Sequence, residues 1–298
     1  MTPRRSNVGT EMLIGRAQVG GRLARCAQWL SLAMVLAGCS TLVSNVAPSD
    51  DTAASPANIA SLTDVVQHNP NDPQAYNMRG SVLGEAGRIQ DALADFNKAI
   101  SLDPNFAQAY ANRGLIYRQT GKPDIALADY NKALSIDANY APAYLGRGMA
   151  YRQKGQLVAA LQDFNKAIQI RPDNAQAYFN RGLLYQGQRQ HQFAIDDFST
   201  AIGLSQQRAE PLIARGLSYM AINDFKAAAG DLDEAVQLEP QNVKAWVSRG
   251  LAYERMGDKE KAAGSYAKAL NIKQDYDQAK QGFARVGGKF GQTYQAFD

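Results

Sequence analysis

Apolar and small side chains recur at a fixed interval of 34 residues through most of the chain. Within each interval they form two groups spaced i, i+4 and i+7, which places each group on one face of a helix. Turn residues separate the groups and separate one interval from the next. The pattern predicts six helix pairs across residues 73–276. The predicted pairs occupy residues 73–106, 107–140, 141–174, 175–208, 209–242 and 243–276.

An Arg-Gly pair marks the same point in every interval, and the glycine is counted here as position 8. The pairs are Arg79-Gly80, Arg113-Gly114, Arg147-Gly148, Arg181-Gly182, Arg215-Gly216 and Arg249-Gly250. Positions 20 and 27 are alanine in every interval, and position 24 is aromatic or leucine. A glycine inside a helix costs about 1 kcal/mol relative to alanine. Its repetition therefore predicts a close approach of the two helices at position 8.

This period and these positions resemble the tetratricopeptide repeat (TPR) family. The resemblance implies an all-α fold, a right-handed α-solenoid of six tandem 34-residue helix-turn-helix repeats with capping helices. Residues 58–72 align with the second helix of a preceding repeat, with Leu62 and Val65 on its inner face. Residues 277–288 continue the period as a C-terminal capping helix, and residues 289–298 form a tail.

Two further positions predict local structure. Position 7 is arginine in all six repeats, and position 23 is aspartate in all but the sixth, where Ser265 replaces it. We interpret these as partly buried ion pairs that orient the helices, in preference to a row of phosphate-binding arginines. Position 15 is glycine in four repeats, which suits a helix end with positive φ. Arg189 and Asn223 replace it in repeats 4 and 5, so those turns are expected to be less tightly specified.

The N-terminal segment, residues 1–38, has the layout of an export signal. Arg22 and Arg25 precede an apolar stretch at residues 29–37, which as a helix reaches about 14 Å and cannot cross a bilayer core of roughly 30 Å. A start at Met12 would give a more usual signal length. An ordinary signal peptide, or a cytoplasmic scaffold with no export, remains an alternative.

Residues 36–39 read Leu-Ala-Gly-Cys and resemble the lipobox of bacterial lipoproteins. The resemblance implies lipid attachment at Cys39 and anchoring to the cell envelope. Ser40 follows the cysteine, which by resemblance favours the outer membrane, facing the periplasm. Residues 39–57 are rich in Ser, Thr, Ala and Pro, and are expected to form a flexible tether between the lipid and the repeats.

Charge and chemistry exclude several classes of function. The net charge of +4 belongs to residues 1–38, and residues 39–298 hold equal numbers of acids and bases, which gives no reason to expect nucleic-acid binding. His68 and His191 are the two histidines, expected at the end of the first cap and in the loop of repeat 4. With no free cysteine after cleavage, we expect no metal site, no cofactor and no catalysis.

The TPR resemblance implies a concave surface built by the first helices, lined at positions 2, 5, 6, 9, 12 and 13. One TPR class clamps a C-terminal carboxylate there. The positions that correspond to this clamp hold Asn77, Ser81, Asn112, Pro142 and Gly146. Asn112 alone matches, so that clamp is predicted to be absent.

The remaining groove positions predict a binding surface for a protein or peptide segment with apolar anchors, and an acid near Arg118 and Arg152. The candidate residues are Asn112, Leu115, Arg118, Leu145, Met149, Arg152, Phe179, Asn180, Leu183, Ile213, Leu217, Met220 and Val247. Position 5, with Phe179, Ile213 and Val247, is expected to face the groove more fully than position 9.

These observations predict a non-enzymatic envelope scaffold or adaptor that binds protein partners. An accessory subunit of an envelope enzyme, acting in peptidoglycan or polysaccharide metabolism, is the alternative. The chain's own tail, with Phe290, Tyr294 and Phe297, could fill the groove in cis or from a second copy, which would make a homo-oligomer.

Overall fold

The computed structural model describes residues 54–205, 207–289 and 294. The predicted signal peptide, Cys39, most of the predicted tether, and Phe290 and Phe297 lie outside these residues. The described part contains fourteen α-helices. They are α1 Pro56–His68, α2 Pro73–Glu85, α3 Ile89–Leu102, α4 Ala107–Gln119, α5 Pro123–Ile136, α6 Ala141–Gln153, α7 Leu157–Ile170, α8 Ala175–Gly187, α9 His191–Leu204, α10 Ala209–Ala221, α11 Phe225–Leu238, α12 Val243–Met256, α13 Lys259–Ile272 and α14 Asp277–Arg285.

The even-numbered helices α2 to α12 each begin at the first residue of a predicted repeat. Local chemistry explains several of these starts: the side chain of Asp72 accepts a hydrogen bond from the backbone N–H of Gln74, and that of Asn174 accepts one from Ala177. Each such bond satisfies one of the N–H groups that lack a partner in the first turn of a helix.

The turns inside the repeats share one backbone conformation. Gly87, Gly121, Gly155 and Gly257 have φ between 73° and 85°. Arg189 and Asn223 adopt φ of 60° and 64° at the same position, and the N–H of Gln190 donates to Tyr185 O at 2.9 Å as Arg88 N–H does to Leu83 O at 2.8 Å. The turns of repeats 4 and 5 therefore have the same backbone conformation and hydrogen bonds as the glycine turns, although their sequence lacks glycine.

The two helices of each repeat approach each other closely at position 8, as the sequence predicts. A Cβ added to Gly148 would lie 2.8 Å from the ring of Phe164, and one added to Gly182 would lie 2.6 Å from Phe198. Both distances are shorter than a carbon–carbon contact allows. The alanines at positions 20 and 27 are fully buried or nearly so in all six repeats, which leaves the space between the helices to the side chain at position 24.

Successive repeats stack mainly through the second helix of one repeat and the first helix of the next, and their first helices also touch. The helices α2, α4, α6, α8, α10, α12 and α14 each contact the next member of this series, whereas no contact joins the second helices of neighbouring repeats among the described elements. Because the first helices lie closer together than the second helices, the stack curves with its first helices on the concave side. The fold is thus an all-α TPR-type solenoid.

The predicted Arg–Asp ion pairs are confirmed in repeats 1 to 5. Arg147 Nε donates to Asp163 Oδ2 and its Nη2 donates to Oδ1, both at 2.8 Å, while Nη1 donates to Asn131 Oδ1 of the preceding repeat at 2.7 Å. The guanidinium also lies 5.4 Å from the ring centroid of Tyr144. The arginine therefore ties together the two helices of its own repeat and the second helix of the repeat before it.

The capping helices close the hydrophobic core at each end. In α1, Leu62 and Val66 are buried and Val65 is exposed. The prediction that Val65 faces inward is wrong. In the described residues α1 packs only on α2, and its inner face follows the i, i+4 pair of Leu62 and Val66. At the other end, Ala279 and Phe283 of α14 are buried, while Lys280 is exposed.

Candidate peptide-binding groove

The concave face carries exposed leucines at position 9 of two first helices. Leu115 on α4 is 38 % exposed and Leu217 on α10 is 40 % exposed. Phe179, Ile213 and Val247 at position 5 are only partly exposed. The expectation that position 5 faces the groove more fully is wrong. The side chains at position 5 instead turn toward the second helices and join the cores of the repeats.

Several other candidate residues also contribute to the cores. The Phe179 ring lies 5.8 Å from that of Phe198, and Leu183 packs on the same cluster. Leu145 and Met149 pack on the cluster around Phe164. The cluster around Trp246 is packed by three further candidates, which are Ile213, Met220 and Val247. Replacing these residues would therefore perturb stability as well as the surface.

Polar side chains link neighbouring first helices at the N-terminal end of the groove. The Asn112 amide donates to Asn77 Oδ1 at 3.0 Å and to Ser81 Oγ at 3.2 Å. The same region holds a pocket of about 170 Å³ whose wall includes Leu115 and Glu85. Asn77 is 1 % exposed, so it positions Asn112 and is not itself available to a ligand.

Further along the groove, Asn180 bonds within its own helix and Gln186 links two neighbouring first helices. Asn180 is buried, and its amide donates to Gln176 O at 2.8 Å. The Gln186 amide donates to Ala214 O and to Ser218 Oγ, each at 2.8 Å. Sequence reasoning named Asn180 but missed Gln186. The sequence could have revealed Gln186, because it occupies groove position 12 and the next first helix, α10, has the small residues Ala214 and Ser218.

Two candidate arginines lie on adjacent first helices. Arg118 on α4 and Arg152 on α6 are both partly exposed, yet the Nε atom of each is buried without a hydrogen-bond partner among the described residues. Burial, with a further contribution from the charge of Arg118, lowers the pKa of Arg152. The Nη2 group of Arg152 donates to Asn180 Oδ1 over a long 3.5 Å. The structure thus brings together two cations that sequence reasoning had placed near an expected acid.

A buried phenol, which sequence reasoning missed, completes this group. The Tyr130 hydroxyl has no hydrogen-bond partner in the described residues. Burial raises the pKa of Tyr130 to about 12, although the nearby positive charge of Arg118 opposes the shift. The signal in the sequence was a tyrosine at position 24 followed by glycine at position 6 of the next repeat, Gly146.

The histidines offer no site. His68 ends α1, as predicted, and its Nδ1 lies 2.9 Å from Asp64 O. His191 does not lie in a loop: it is the first residue of α9, because the turn ends one residue earlier at Gln190. In the described part of the chain no group of three or more His, Cys, Asp or Glu side chains could hold a metal ion. None of the described helices is long and apolar enough to span a membrane.

Family models for "TPR repeat" and "tetratricopeptide repeat" match residues 80–121, 107–140, 148–188, 175–208 and 213–280. The chain belongs to the tetratricopeptide repeat family. No curated protein matches this TPR chain by sequence comparison. The fold and the family make it a protein-interaction scaffold, and TPR scaffolds are typically not enzymes.

Solved TPR structures share the fold. A chain of the Cut9–Hcn1 hetero-tetramer of the APC/C matches with a TM-score of 0.69 at 19 % identity, over 78 % of this chain and 46 % of that one, so this protein spans less than half of that relative. PilF of Pseudomonas aeruginosa matches with a TM-score of 0.65 at 19 % identity, over 72 % and 97 % of the two chains. YrrB, described as a TPR protein with an unusual peptide-binding site, has a TM-score of 0.54 at 25 % identity, over 62 % and 96 %.

Proposed function

We propose that the protein is an envelope lipoprotein scaffold that recruits a protein partner through the concave face of its TPR array. The observation that carries the proposal is a row of apolar side chains at position 9 of four consecutive first helices. Leu115 and Leu217 at its ends are exposed, and Met149 and Leu183 between them are partly exposed. A continuous exposed apolar surface with a polar border marks a protein-binding site. The solved TPR structure described as having a peptide-binding site supports the same use of the fold.

The envelope location rests on the sequence Leu-Ala-Gly-Cys at residues 36–39. Acyl chains on Cys39 would contribute about 0.8 kcal/mol per buried CH₂ to membrane binding, so two or three chains anchor a protein stably. The predicted tether boundary at residue 57 is wrong, because α1 begins at Pro56 after the N-cap Ser55. Residues 40–54 would then serve as a tether of roughly 21 Å root-mean-square length, which lets the groove reorient at the membrane. We place the protein at the outer membrane, facing the periplasm, because Ser40 follows the cysteine.

Metabolic labelling with palmitate tests the anchor. The intact chain should incorporate label and fractionate with membranes, and Cys39→Ala should do neither. The variant Cys26→Ala is the matched control and should incorporate label like wild type, since Cys26 lies before the expected cleavage site. Label retained by Cys39→Ala, or a wild-type chain without label, would place the protein in a different class.

Crosslinking in whole cells tests the groove. The variant Leu115→Asn with Leu217→Asn removes both exposed leucines, each of which has more than a third of its surface open to solvent. The matched control is Ile125→Asn with Val158→Asn on the second helices, where these side chains are 47 % and 74 % exposed. We expect the groove variant to lose its crosslinked partner at least tenfold while helicity and Tm stay near wild type. The control should retain the partner. The opposite pattern would move the binding site to the convex face.

A further inference from the structure

The Tyr130 side chain crosses from α5 to the groove. A Cβ added to Gly114 on α4 would lie 3.2 Å from the Tyr130 ring, and one added to Gly146 on α6 would lie 2.7 Å from its hydroxyl oxygen. The ring therefore passes between two neighbouring first helices, and its buried hydroxyl lies beside position 6 of the third repeat, so an acid must part the covering side chains to bind it. Repeats 1, 3 and 4 have phenylalanine at position 24, which carries no donor.

Arg118 and Arg152 provide two further donors at this point. Both arginines occupy position 12, on the neighbouring first helices α4 and α6, which contact each other. Arg118 lies one turn after Gly114, against which the Tyr130 ring packs. The positive charge of Arg118 accordingly opposes the rise in the pKa of Tyr130 and lowers the pKa of Arg152. Neither arginine forms an ion pair with a carboxylate of the described residues. The arginines at position 7 differ, since each of them is bound to an aspartate. In repeats 1 to 5 this aspartate belongs to the same repeat, and in repeat 6 it is Asp233 of repeat 5.

The sixth repeat contains the same arrangement with its acid in place. A Cβ added to Gly282 on α14 would lie 2.3 Å from the Tyr266 ring, so Tyr266 and Gly282 correspond to Tyr130 and Gly146. The Tyr266 hydroxyl donates to Glu254 Oε2 at 2.7 Å, and Arg285 donates to the two oxygens of Glu254 at 2.7 and 2.9 Å. There one carboxylate binds the phenol and a guanidinium together.

Glu254 occupies position 12 of its repeat, and Arg118 occupies position 12 of repeat 2. The second repeat thus keeps the phenol donor, in Tyr130. It has Arg118 where repeat 6 has the acid Glu254, and Arg152 on the next first helix supplies a second cation. Buried donors without acceptors are costly, and two adjacent guanidiniums repel each other. A carboxylate that binds all three groups relieves both penalties.

We propose that Arg118, Arg152 and Tyr130 form a site for one carboxylate from an Asp or Glu side chain of the partner. The site deepens the proposed function, on which it rests, by specifying an acid in the partner's bound segment. It differs from the TPR clamp for C-terminal carboxylates, because its donors lie at positions 12 and 24. Leu115 and Met149 precede the two arginines by one turn of the same helices, so the acid should be flanked by apolar residues.

The test uses the full chain purified in detergent and two defined probes, the peptides acetyl-Leu-Glu-Leu-amide and acetyl-Leu-Gln-Leu-amide. Nitrogen-15 spectra follow the Nε–H signals of the arginines during titration, and inorganic phosphate is titrated in a parallel arm. We expect the Glu peptide to shift the signals of Arg118 and Arg152 and to bind at least tenfold more tightly than the Gln peptide or phosphate. The signal of the exposed Arg255 should not move.

Variants separate binding from folding. Arg118→Gln and Arg152→Gln should each weaken the Glu peptide at least tenfold, and Tyr130→Phe about threefold. The arginine variants should leave Tm unchanged or raise it, since each removes one of two mutually repelling charges. A purely structural role would lower Tm and leave probe binding intact. Arg255→Gln is the control and should bind the probe like wild type.

The proposal is wrong if the two peptides bind equally, if phosphate binds more tightly than the Glu peptide, or if the two arginine signals do not move. Its failure is distinguishable from failure of the proposed function. If the Leu115 and Leu217 variant loses its crosslinked partner but the wild type does not respond to the Glu peptide, the carboxylate site is wrong and the leucine surface stands. A specific Glu-peptide response with crosslinking retained by that variant would remove the leucine surface alone.

Discussion

Arg249 Nε donates to Asp233 Oδ1 at 2.6 Å across the boundary between repeats 5 and 6. In repeats 2 to 5 the acid bound by the arginine at position 7 belongs to the same repeat, and the preceding repeat supplies an amide or hydroxyl at position 25. Repeat 6 exchanges the two roles, since Ser265 accepts from Arg249 Nη1 at 2.7 Å and Asp233 supplies the charge. The last repeat is therefore joined to the array by an ion pair between repeats.

This exchange predicts that Asp233→Asn lowers the free energy of unfolding by about 2 kcal/mol, the cost of weakening a hydrogen bond to a charged group. The Arg249 side chain is 3 % exposed, and its Nε would then donate to a neutral amide in place of a carboxylate. Adding Ser265→Asp should restore most of the loss, because the double variant has the Asn and Asp pattern of repeats 2 to 4.

Urea unfolding of the full chain, followed by circular dichroism, measures both effects. The Asp233→Asn transition should shift to lower urea concentration and the double variant should shift back. Asn131 occupies the same position at the boundary between repeats 2 and 3, where the acid bound by Arg147 is Asp163 of the same repeat. The variant Asn131→Ala should therefore cost less stability than Asp233→Asn. Equal losses in the two would mean that the charge of Asp233 is not what holds repeat 6.

Much of the fold could be predicted because each repeat has residues of the same type at the positions that determine its structure. Gly148 and Phe164 fix the helix–helix distance, and Gly155 fixes the turn, in a pattern visible from a single sequence. Ser265 was visible as a departure from that pattern. Its compensation by Asp233 was not, because a contact between repeats depends on the stacking geometry and not on the spacing within one repeat.

Arg147→Ala should lower stability by about 3 kcal/mol, since Asp163 is left buried without its partner. The hydrogen bonds to Asp163 raise the pKa of Arg147, consistent with a pair that favours the charged forms. Thermal melts should show the loss. At a temperature where the variant is folded, the Glu peptide should bind as it does to wild type. The reverse pattern, with Tm kept and binding lost, would make position 7 part of the ligand site.

The candidate site was predicted less well than the fold. Arg118 and Arg152 were found because charges at groove positions stand out. Tyr130 was missed because its position belongs to the core in every repeat, and the glycine at residue 146 leaves room for its buried hydroxyl beside the groove helix α6. Phe179 was ranked above Leu115 because spacing assigns a helix face but does not show how far a neighbouring second helix covers it.

Acid should weaken the C-terminal cap through Glu254. Hydrogen bonds from Arg285, opposed by burial and aided by Tyr266, hold the pKa of Glu254 below its usual value of 4.5. A lowered folded-state pKa means that its contribution is fully present above pH 4.5 and is lost as the pH falls through the folded value.

Hydrogen exchange of α14 amides at pH 6 and at pH 3 to 4, with rates corrected for intrinsic pH dependence, measures this contribution. Protection of the wild type should fall with pH. In Glu254→Gln it should already be lower at pH 6 and should change less between the two conditions. A variant with wild-type protection at pH 6 would show that the carboxylate does not hold the cap.

The turn of repeat 4 should be improvable at Arg189. The residue is exposed and has φ of 60°, a left-handed conformation that costs an L-residue roughly 1–2 kcal/mol. Glycine removes this cost but loses about 0.5–1 kcal/mol of chain entropy on folding. Arg189→Gly should therefore raise the free energy of unfolding by about 0.5–1 kcal/mol. Asn223→Gly should give a smaller gain, because asparagine tolerates the left-handed region.

The matched control runs in the opposite direction at Gly155, where φ is 73° and a Cβ would meet no atom within 4 Å. Gly155→Ala therefore tests the backbone conformation alone and should destabilise by about 1 kcal/mol. Urea midpoints of the three variants against wild type give the comparison. If Arg189→Gly lowered the midpoint while Gly155→Ala also lowered it, the Arg189 side chain would be supplying a stabilising contact larger than the backbone strain. The conformational explanation of this turn would then be wrong.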